Sequence, residues 1–116
     1  AVPSVGQSAP YKSVLAEIDQ KKLGFTCVLN DDGQLVGIIT DGDLRRALVH
    51  FGLQIFEKSA REVMTANPKT IAGSSLAAEA LKMMEKYAIS DLLIVDADNR
   101  PAGLIHLKDL LKAGII

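Results

Sequence analysis

The chain has 116 residues, of which 48% are hydrophobic and 23% charged, the size and composition of one globular domain. Its 13 Lys and Arg balance 14 Asp and Glu, and it holds three Phe, two Tyr and no Trp. This balance argues against a nucleic-acid partner, which favours basic surfaces and stacking aromatics. No apolar run approaches the ~20 residues that span a bilayer, and no signal-peptide pattern opens the chain. We therefore expect a cytoplasmic protein with no membrane partner.

The only cysteine is Cys27, which excludes an intrachain disulfide and a CxxC metal site. It lies in an apolar, strand-like run, so we interpret it as a small core residue.

The first half of the chain predicts a β-α-β-β-α order. A short extended piece comes first, and Ser8 is suited to cap the helix that follows it. Asn, Asp and Gly then mark a tight turn between two apolar strands. The predicted elements are an extended piece Pro3–Val5, a helix, strand Phe25–Leu29, a turn at 30–33, strand Leu35–Thr40 and helix Asp41–His50.

The second half repeats this pattern after a shift of 66 positions without a gap, so that Gly37 falls on Gly103 and Asp43 on Asp109. Ser74 or Ser75 takes the capping position, and Gly114 a C′ position after the last helix. The repeated elements are an extended piece Lys69–Ile71, a helix containing Leu76 to Tyr87, strand Leu92–Val95, a turn at 96–100, strand Ala102–His106 and helix Leu107–Ala113.

A unit of ~45–50 residues buries little surface alone, so we expect the two copies to share a core. The predicted organisation is repeat 1 at 1–50, a linker at 51–67 and repeat 2 at 68–116. Within the linker, Ser59–Thr65 predicts a short helical lead-in that stops before Pro68. The fold class is α/β (α+β), with tandem β-α-β-β-α repeats and pseudo-two-fold symmetry.

These repeats, with Gly-Ile-Ile-Thr-Asp-Gly-Asp at 37–43 and Arg-Glu-Val-Met-Thr at 61–65, resemble a CBS-domain pair, or Bateman module. The strings Leu-Gly-Phe-Thr at 23–26, Thr-Asp-Gly-Asp-Leu-Arg-Arg at 40–46 and the ending at 106–115 are most similar to the C-terminal regulatory region of bacterial arabinose-5-phosphate isomerases. The resemblance implies a catalytic sugar-isomerase domain N-terminal to the pair and a homodimer formed through it. The repeat alignment independently predicts that the lead-in of repeat 1 would precede residue 1. The resemblance implies that this fragment is not itself an enzyme.

The residues Thr40, Asp41, Gly42 and Asp43 lie where a strand runs into a helix. Free N–H groups there favour an anion, and a carboxylate one turn further on can accept ribose hydroxyls. Arg45 and Arg46 carry guanidinium groups that suit phosphate or carboxylate. From the residues alone, an ordinary helix start capped by Thr40 or Asp41, with solvated arginines, is the favoured interpretation. The resemblance favours the ligand, because the Thr/Ser-x-x-Asp pattern marks the ribose-phosphate site in CBS pairs.

The resemblance also implies further walls of two clefts between the repeats. The first would include Ser4, Val5, Gly24, Phe25 and Thr26, and the second, weaker cleft would include Thr70, Ile71, Ser90, Asp91, Leu92, His106 and Asp109. Val5, Ile71 and Leu92 are alternatively plain core residues, whereas Thr26 and Ser90 are polar at strand entries. His106 replaces the threonine of the pattern, so the two clefts are not expected to be equivalent.

The resulting hypothesis is a regulatory module that requires no cofactor and binds a nucleotide or nucleotide-sugar, such as CMP-Kdo, AMP or ATP. The alternative is a ligand-free dimerisation module, favoured by surplus apolar residues at 83–84 and 110–111.

Overall fold

The computed structural model describes residues 2–75 and 77–114. They form two compact units, Val2–Pro68 and a second that begins at Lys69. The expected mixed α/β class is confirmed; the pseudo-two-fold symmetry stays a prediction. None of the helices in the described ranges is long and apolar enough to cross a membrane. Of the predicted elements, the helical position Leu76 and the terminal Ile115 and Ile116 lie outside the described residues.

The first unit is built on a four-stranded sheet of order β1-β2-β3-β4. Strand β1 runs parallel to β2, β3 runs antiparallel to β2, and β4 lies antiparallel to β3. The elements of this unit are β1 Ser4–Gly6, α1 Tyr11–Lys21, β2 Phe25–Leu29, β3 Leu35–Thr40, α2 Asp41–Phe51, a 3-10 helix Gly52–Glu57, α3 Ala60–Val63 and β4 Thr65–Ala66.

The second unit has a three-stranded sheet of order β5-β6-β7 with the same strand directions. The repeat is visible in the register: Val28 pairs with Gly37, and Ile94 with Gly103. A bulge follows Val28 in one sheet and Ile94 in the other. The elements are β5 Thr70–Ala72, α4 Ala77–Tyr87, β6 Asp91–Val95, β7 Pro101–His106 and α5 Leu107–Lys112.

Each unit has its own hydrophobic cluster, because its helices turn their apolar faces to the sheet. The first cluster comprises Tyr11, Val14, Ile18, Val28, Ile39, Ala47, Ile55, Ala60 and Val63. The second comprises Ile71, Ala80, Met84, Leu92 and Leu110. Cys27 is fully buried, which confirms its interpretation as a core residue.

The assignment of Ser8 as a helix cap is wrong. Helix α1 begins at Tyr11, and its N-cap is Pro10, which has an extended backbone and contributes no side-chain bond. Ser8 lies in a turn formed by residues 6–9, in which the Ala9 N–H donates to the Gly6 carbonyl at 3.0 Å. The Tyr11 N–H is instead satisfied by the Lys58 carbonyl at 3.1 Å.

The predicted helical lead-in is shorter than expected. Helix α3 spans only Ala60–Val63, because Met64 adopts an extended conformation with ψ 158°. Thr65 and Ala66 then form β4, which pairs with Ile38 and Gly37 on the open edge of β3. The lead-in assigned to repeat 2 therefore belongs to the sheet of the first unit.

Candidate ligand-binding site

The junction between β3 and α2 is held by a reciprocal cap. Thr40 ends the strand in an extended conformation, and its hydroxyl accepts the Asp43 N–H at 3.3 Å. The Asp43 carboxylate reaches back and accepts the Thr40 N–H at 2.9 Å. This capping box satisfies two orphan donors of the helix start. The sequence left the N-cap open between Thr40 and Asp41, and the structure assigns it to Thr40.

Asp43 is the hub of the junction, with only 7% of its surface exposed. Its Oδ2 accepts from the Thr40 N–H at 2.9 Å and the Thr40 hydroxyl at 3.0 Å. Its Oδ1 accepts from Arg46 Nη2 at 2.8 Å and the Thr65 hydroxyl at 2.7 Å. A buried carboxylate needs such donors to remain ionised.

The pKa of Asp43 lies below its ordinary value of 3.8. Burial acts in the opposite direction and raises it, but the bonds from the Thr40 backbone, Thr65, Arg46 and the Thr40 hydroxyl together outweigh burial. The Asp43 carboxylate therefore stays ionised at neutral pH.

Two glycines bring backbone and side chains together around the start of α2. Gly24 has φ +77°, and a Cβ at this position would lie 3.7 Å from Oδ2 of Asp41. A Cβ on Gly42 would lie 3.2 Å from Nη1 of Arg46. The Arg46 guanidinium thus covers the first turn of α2 while its side chain remains 73% exposed. Arg45 is exposed on the same helix and takes no part in this network.

Of the residues predicted to line the site from β2 and the residue before it, only some lie beside the junction. Phe25 stands opposite Thr40 in the ladder, so Gly24 and Phe25 do lie beside the junction. Thr26 is fully buried, and its hydroxyl donates to the Cys27 carbonyl at 3.1 Å.

The two residues predicted from β1 lie one strand further away. Ser4 pairs with Cys27 and Val5 with Val28. Val5 packs against the first hydrophobic cluster, and the Ser4 hydroxyl donates to the Val2 carbonyl at 3.3 Å. The structure thus groups Gly24, Phe25, Thr40, Asp41, Gly42, Asp43 and Arg46, and places Ser4, Val5 and Thr26 in the sheet behind them.

The corresponding junction in the second unit is more open. Asp109 accepts the His106 N–H at 3.0 Å but is exposed. The His106 ring pairs with Asp91, its neighbour across the β6–β7 ladder. Within the described ranges, no donor from another strand reaches the Asp109 carboxylate. Ile71 and Leu92 belong to the second cluster, whereas Thr70 and Ser90 lie on β5 and just before β6.

Thr65 is the residue of the first junction that sequence reasoning missed. It was predicted to belong to a helical lead-in, and its contact with Asp43 spans 22 positions. The sequence signal that favours strand here is weak: a β-branched threonine just beyond the short helix.

The chain is thus a tandem repeat of one β-α-β-β-α unit, and in each unit an aspartate side chain caps the helix that follows the last of these strands. The family model described as "CBS domain" matches residues 1–50 and 60–115. The chain belongs to the CBS-domain family. Both matched segments are CBS domains, so the 116 residues contain no catalytic domain.

Curated relatives connect this pair to one group of enzymes. The chain is 45% identical over 115 residues to the arabinose 5-phosphate isomerase KdsD of Pseudomonas aeruginosa. The matched region covers 99% of this chain but only 35% of that protein. The KdsD of Escherichia coli is 35% identical over 115 residues, with 34% of its length covered. The chain therefore spans about a third of the length of the curated relatives it matches.

Solved structures share the fold. The CBS domain protein PAE2072 from Pyrobaculum aerophilum, complexed with AMP, superimposes with a TM-score of 0.80 at 17% identity, covering 99% of this chain and 92% of that one. The cytosolic domain of the Mg2+ channel MgtE in complex with ATP gives a TM-score of 0.80 at 18% identity. The superposition covers 97% of this chain and 44% of that domain. CBSX2 in complex with AMP gives a TM-score of 0.78 at 22% identity. The superposition covers 98% of this chain and 87% of that one.

Proposed function

We propose that this CBS pair is a ligand sensor and that a nucleotide binds at the β3–α2 junction of the first unit. The observation that carries the proposal is the Asp43 carboxylate, 7% exposed and placed at the start of α2 beside Thr40. Buried carboxylates whose pKa is shifted by specific neighbouring groups are enriched at functional sites. Proteins of the same fold complexed with AMP and ATP support a nucleotide as the class of ligand.

The chemistry of the junction fits a ribose phosphate. Helix α2 begins directly at the end of β3, and backbone N–H groups at such a helix start favour a phosphate oxygen. The Thr40 hydroxyl, which donates to Asp43 in the free chain, can turn to the same phosphate. Asp43 accepts ribose hydroxyls, and Gly42 lets the ligand approach the backbone closely. Gly24, Phe25 and Asp41 complete the surroundings. Because Asp109 is exposed and His106 is paired with Asp91, the second junction is the weaker candidate.

The relatives suggest what the sensor serves. We infer that the full-length protein is an arabinose 5-phosphate isomerase, and that ligand binding biases its catalytic domain because the ligand binds one arrangement of the pair more tightly. CMP-Kdo, AMP and ATP are the ligands to compare. CMP-Kdo adds a carboxylate that an arginine beside the junction can bind.

Thermal unfolding of the chain with AMP, ATP, CMP and CMP-Kdo tests this function. We expect at least one ligand to raise the melting temperature in proportion to the logarithm of its concentration. Asp43→Asn is expected to abolish this rise. Asp19→Asn, at an exposed aspartate of α1, serves as the control that preserves it. Absence of a rise with all four ligands at millimolar concentration contradicts the proposal.

A second candidate function, self-association, rests on an exposed apolar surface. Leu48 and Val49 near the end of α2 and Leu53 and Phe56 in the 3-10 helix are 51%, 88%, 84% and 62% exposed. Large apolar side chains exposed on two consecutive helical elements favour a contact site. Sedimentation equilibrium is expected to show a dimer that the double variant Val49→Ser, Leu53→Ser dissociates. A wild-type monomer at all concentrations contradicts this role.

A further inference from the structure

The Asp43 carboxylate is saturated before any ligand arrives. A carboxylate offers about four lone-pair positions, and four donors from Thr40, Arg46 and Thr65 occupy those of Asp43. A ligand hydroxyl therefore has to replace a donor that is already bound.

The four donors differ in how firmly they are held. The N–H and the hydroxyl of Thr40 both belong to the residue that caps α2, and Thr65 lies on β4, which pairs with β3. The Arg46 side chain is 73% exposed and spans a single helical turn to reach Asp43. Because the guanidinium end of this i,i+3 pair is exposed, water can replace it at little cost, whereas the other donors are held by the backbone fold. Arg46 is therefore the donor that leaves most easily.

The Arg46 guanidinium also occupies the space that a ligand at Asp43 and Gly42 would need. Its Nη1 and Nη2 lie 3.2 and 3.5 Å from where a Cβ of Gly42 would be. Arg46 thus covers both the carboxylate and the backbone of the first turn of α2. A group that enters this space has to displace the guanidinium, which stays within reach on its long side chain.

We propose that Arg46 is a specificity-determining residue that selects ligands carrying an anionic group. In the unliganded junction it binds Asp43; when a ligand hydroxyl takes its place, the guanidinium transfers to the phosphate or carboxylate of that ligand. A neutral nucleoside displaces Arg46 without giving it a new partner, so it binds weakly. This inference rests on the proposed nucleotide site and adds the class of ligand that the site accepts.

The test measures each nucleotide beside its nucleoside. NMR titration of the 116-residue chain with CMP and cytidine, and with AMP and adenosine, gives the dissociation constants. In Arg46→Ala we expect the nucleotides to bind about tenfold more weakly, since a charge-assisted hydrogen bond is lost. The nucleosides are expected to bind about threefold more tightly, because their competitor for Asp43 is removed.

Arg61→Ala is the charge-matched control, because Arg61 is an exposed arginine on α3 outside the junction. It is expected to change neither constant, and thermal unfolding checks that both variants fold. Opposite shifts for nucleotide and nucleoside support the role of Arg46. Equal shifts of both, or none, overturn it while the binding site stands, provided that Asp43→Asn still abolishes binding. A wild-type chain that binds neither CMP nor AMP here, and whose melting temperature ATP and CMP-Kdo leave unchanged, overturns the proposed function as well.

Discussion

The Thr65 hydroxyl donates a 2.7 Å hydrogen bond to Oδ1 of Asp43, 22 positions earlier in the chain. Thr65 belongs to β4, just beyond the short helix α3, whereas Asp43 lies in the first turn of α2. The bond therefore joins the segment that leads toward the second repeat to the candidate site of the first unit. A change at the carboxylate has a direct route to β4, because one bond separates them.

Removing this hydroxyl should destabilise the first unit. We expect Thr65→Val to lower the free energy of unfolding by about 1 kcal/mol, because a bond to a charged, buried acceptor is lost while water replaces part of it at an exposed position. Urea unfolding measures the change, and Thr65→Ser, which keeps a hydroxyl, is the control. Equal stability of the Val and Ser variants would show that the bond contributes nothing.

How far the sequence predicts this architecture depends on the range of the interactions involved. The bounds of β2, Phe25–Leu29, and β3, Leu35–Thr40, were predicted residue for residue, because apolar runs and turn residues are local signals. The cap formed by Thr40 is equally local. Two features depend on residues far apart in the sequence: the pairing of β4 with β3 and the bond from Thr65 to Asp43. The hydrophobic pattern of residues 59–66 does not predict either of them. Ser8 was misassigned because several residues near a helix start can cap it and only the backbone path selects one.

Acid should remove the contribution of Asp43 to stability. Its folded-state pKa is lowered from 3.8, because the hydrogen bonds from Thr40, Thr65 and Arg46 outweigh the opposing effect of burial. The stabilisation is fully present above the unfolded-state value of 3.8 and is lost as the pH falls through the lower folded-state pKa. The difference in unfolding free energy between wild type and Asp43→Asn should thus be constant near neutral pH and shrink below about pH 4.

The matched variant for this experiment is Asp109→Asn, at the same position of the second repeat. Asp109 is exposed and accepts the His106 N–H, so its replacement should change stability less at every pH. A pH-independent difference for Asp43→Asn, or an equal effect of the two variants, would refute the assignment of the low pKa to Asp43.

Cys27 should be chemically silent in the folded chain. Its side chain is fully buried, and burial raises the pKa of the thiol to about 12, so the reactive thiolate is scarce at neutral pH. Ellman's reagent should react with less than one tenth of the thiol in buffer and with all of it in denaturing urea. Because the chain has one cysteine, the signal reports this position alone. Rapid reaction in buffer would contradict the burial of β2.

Gly37 should tolerate a side chain less well than Gly103, its counterpart in the second repeat. A Cβ at Gly37 would overlap the Met64 side chain and approach the Thr65 carbonyl oxygen to 3.0 Å. A Cβ at Gly103 would meet only Cδ1 of Ile94, at an ordinary 3.5 Å. We expect Gly37→Ala to cost about 2 kcal/mol of unfolding free energy, as overpacking does, and Gly103→Ala to cost little. Because β4 carries Thr65, Gly37→Ala should also speed amide exchange at Thr65 and Ala66. If the two alanine variants are equally stable, β4 does not pack on β3 as closely as this contact requires.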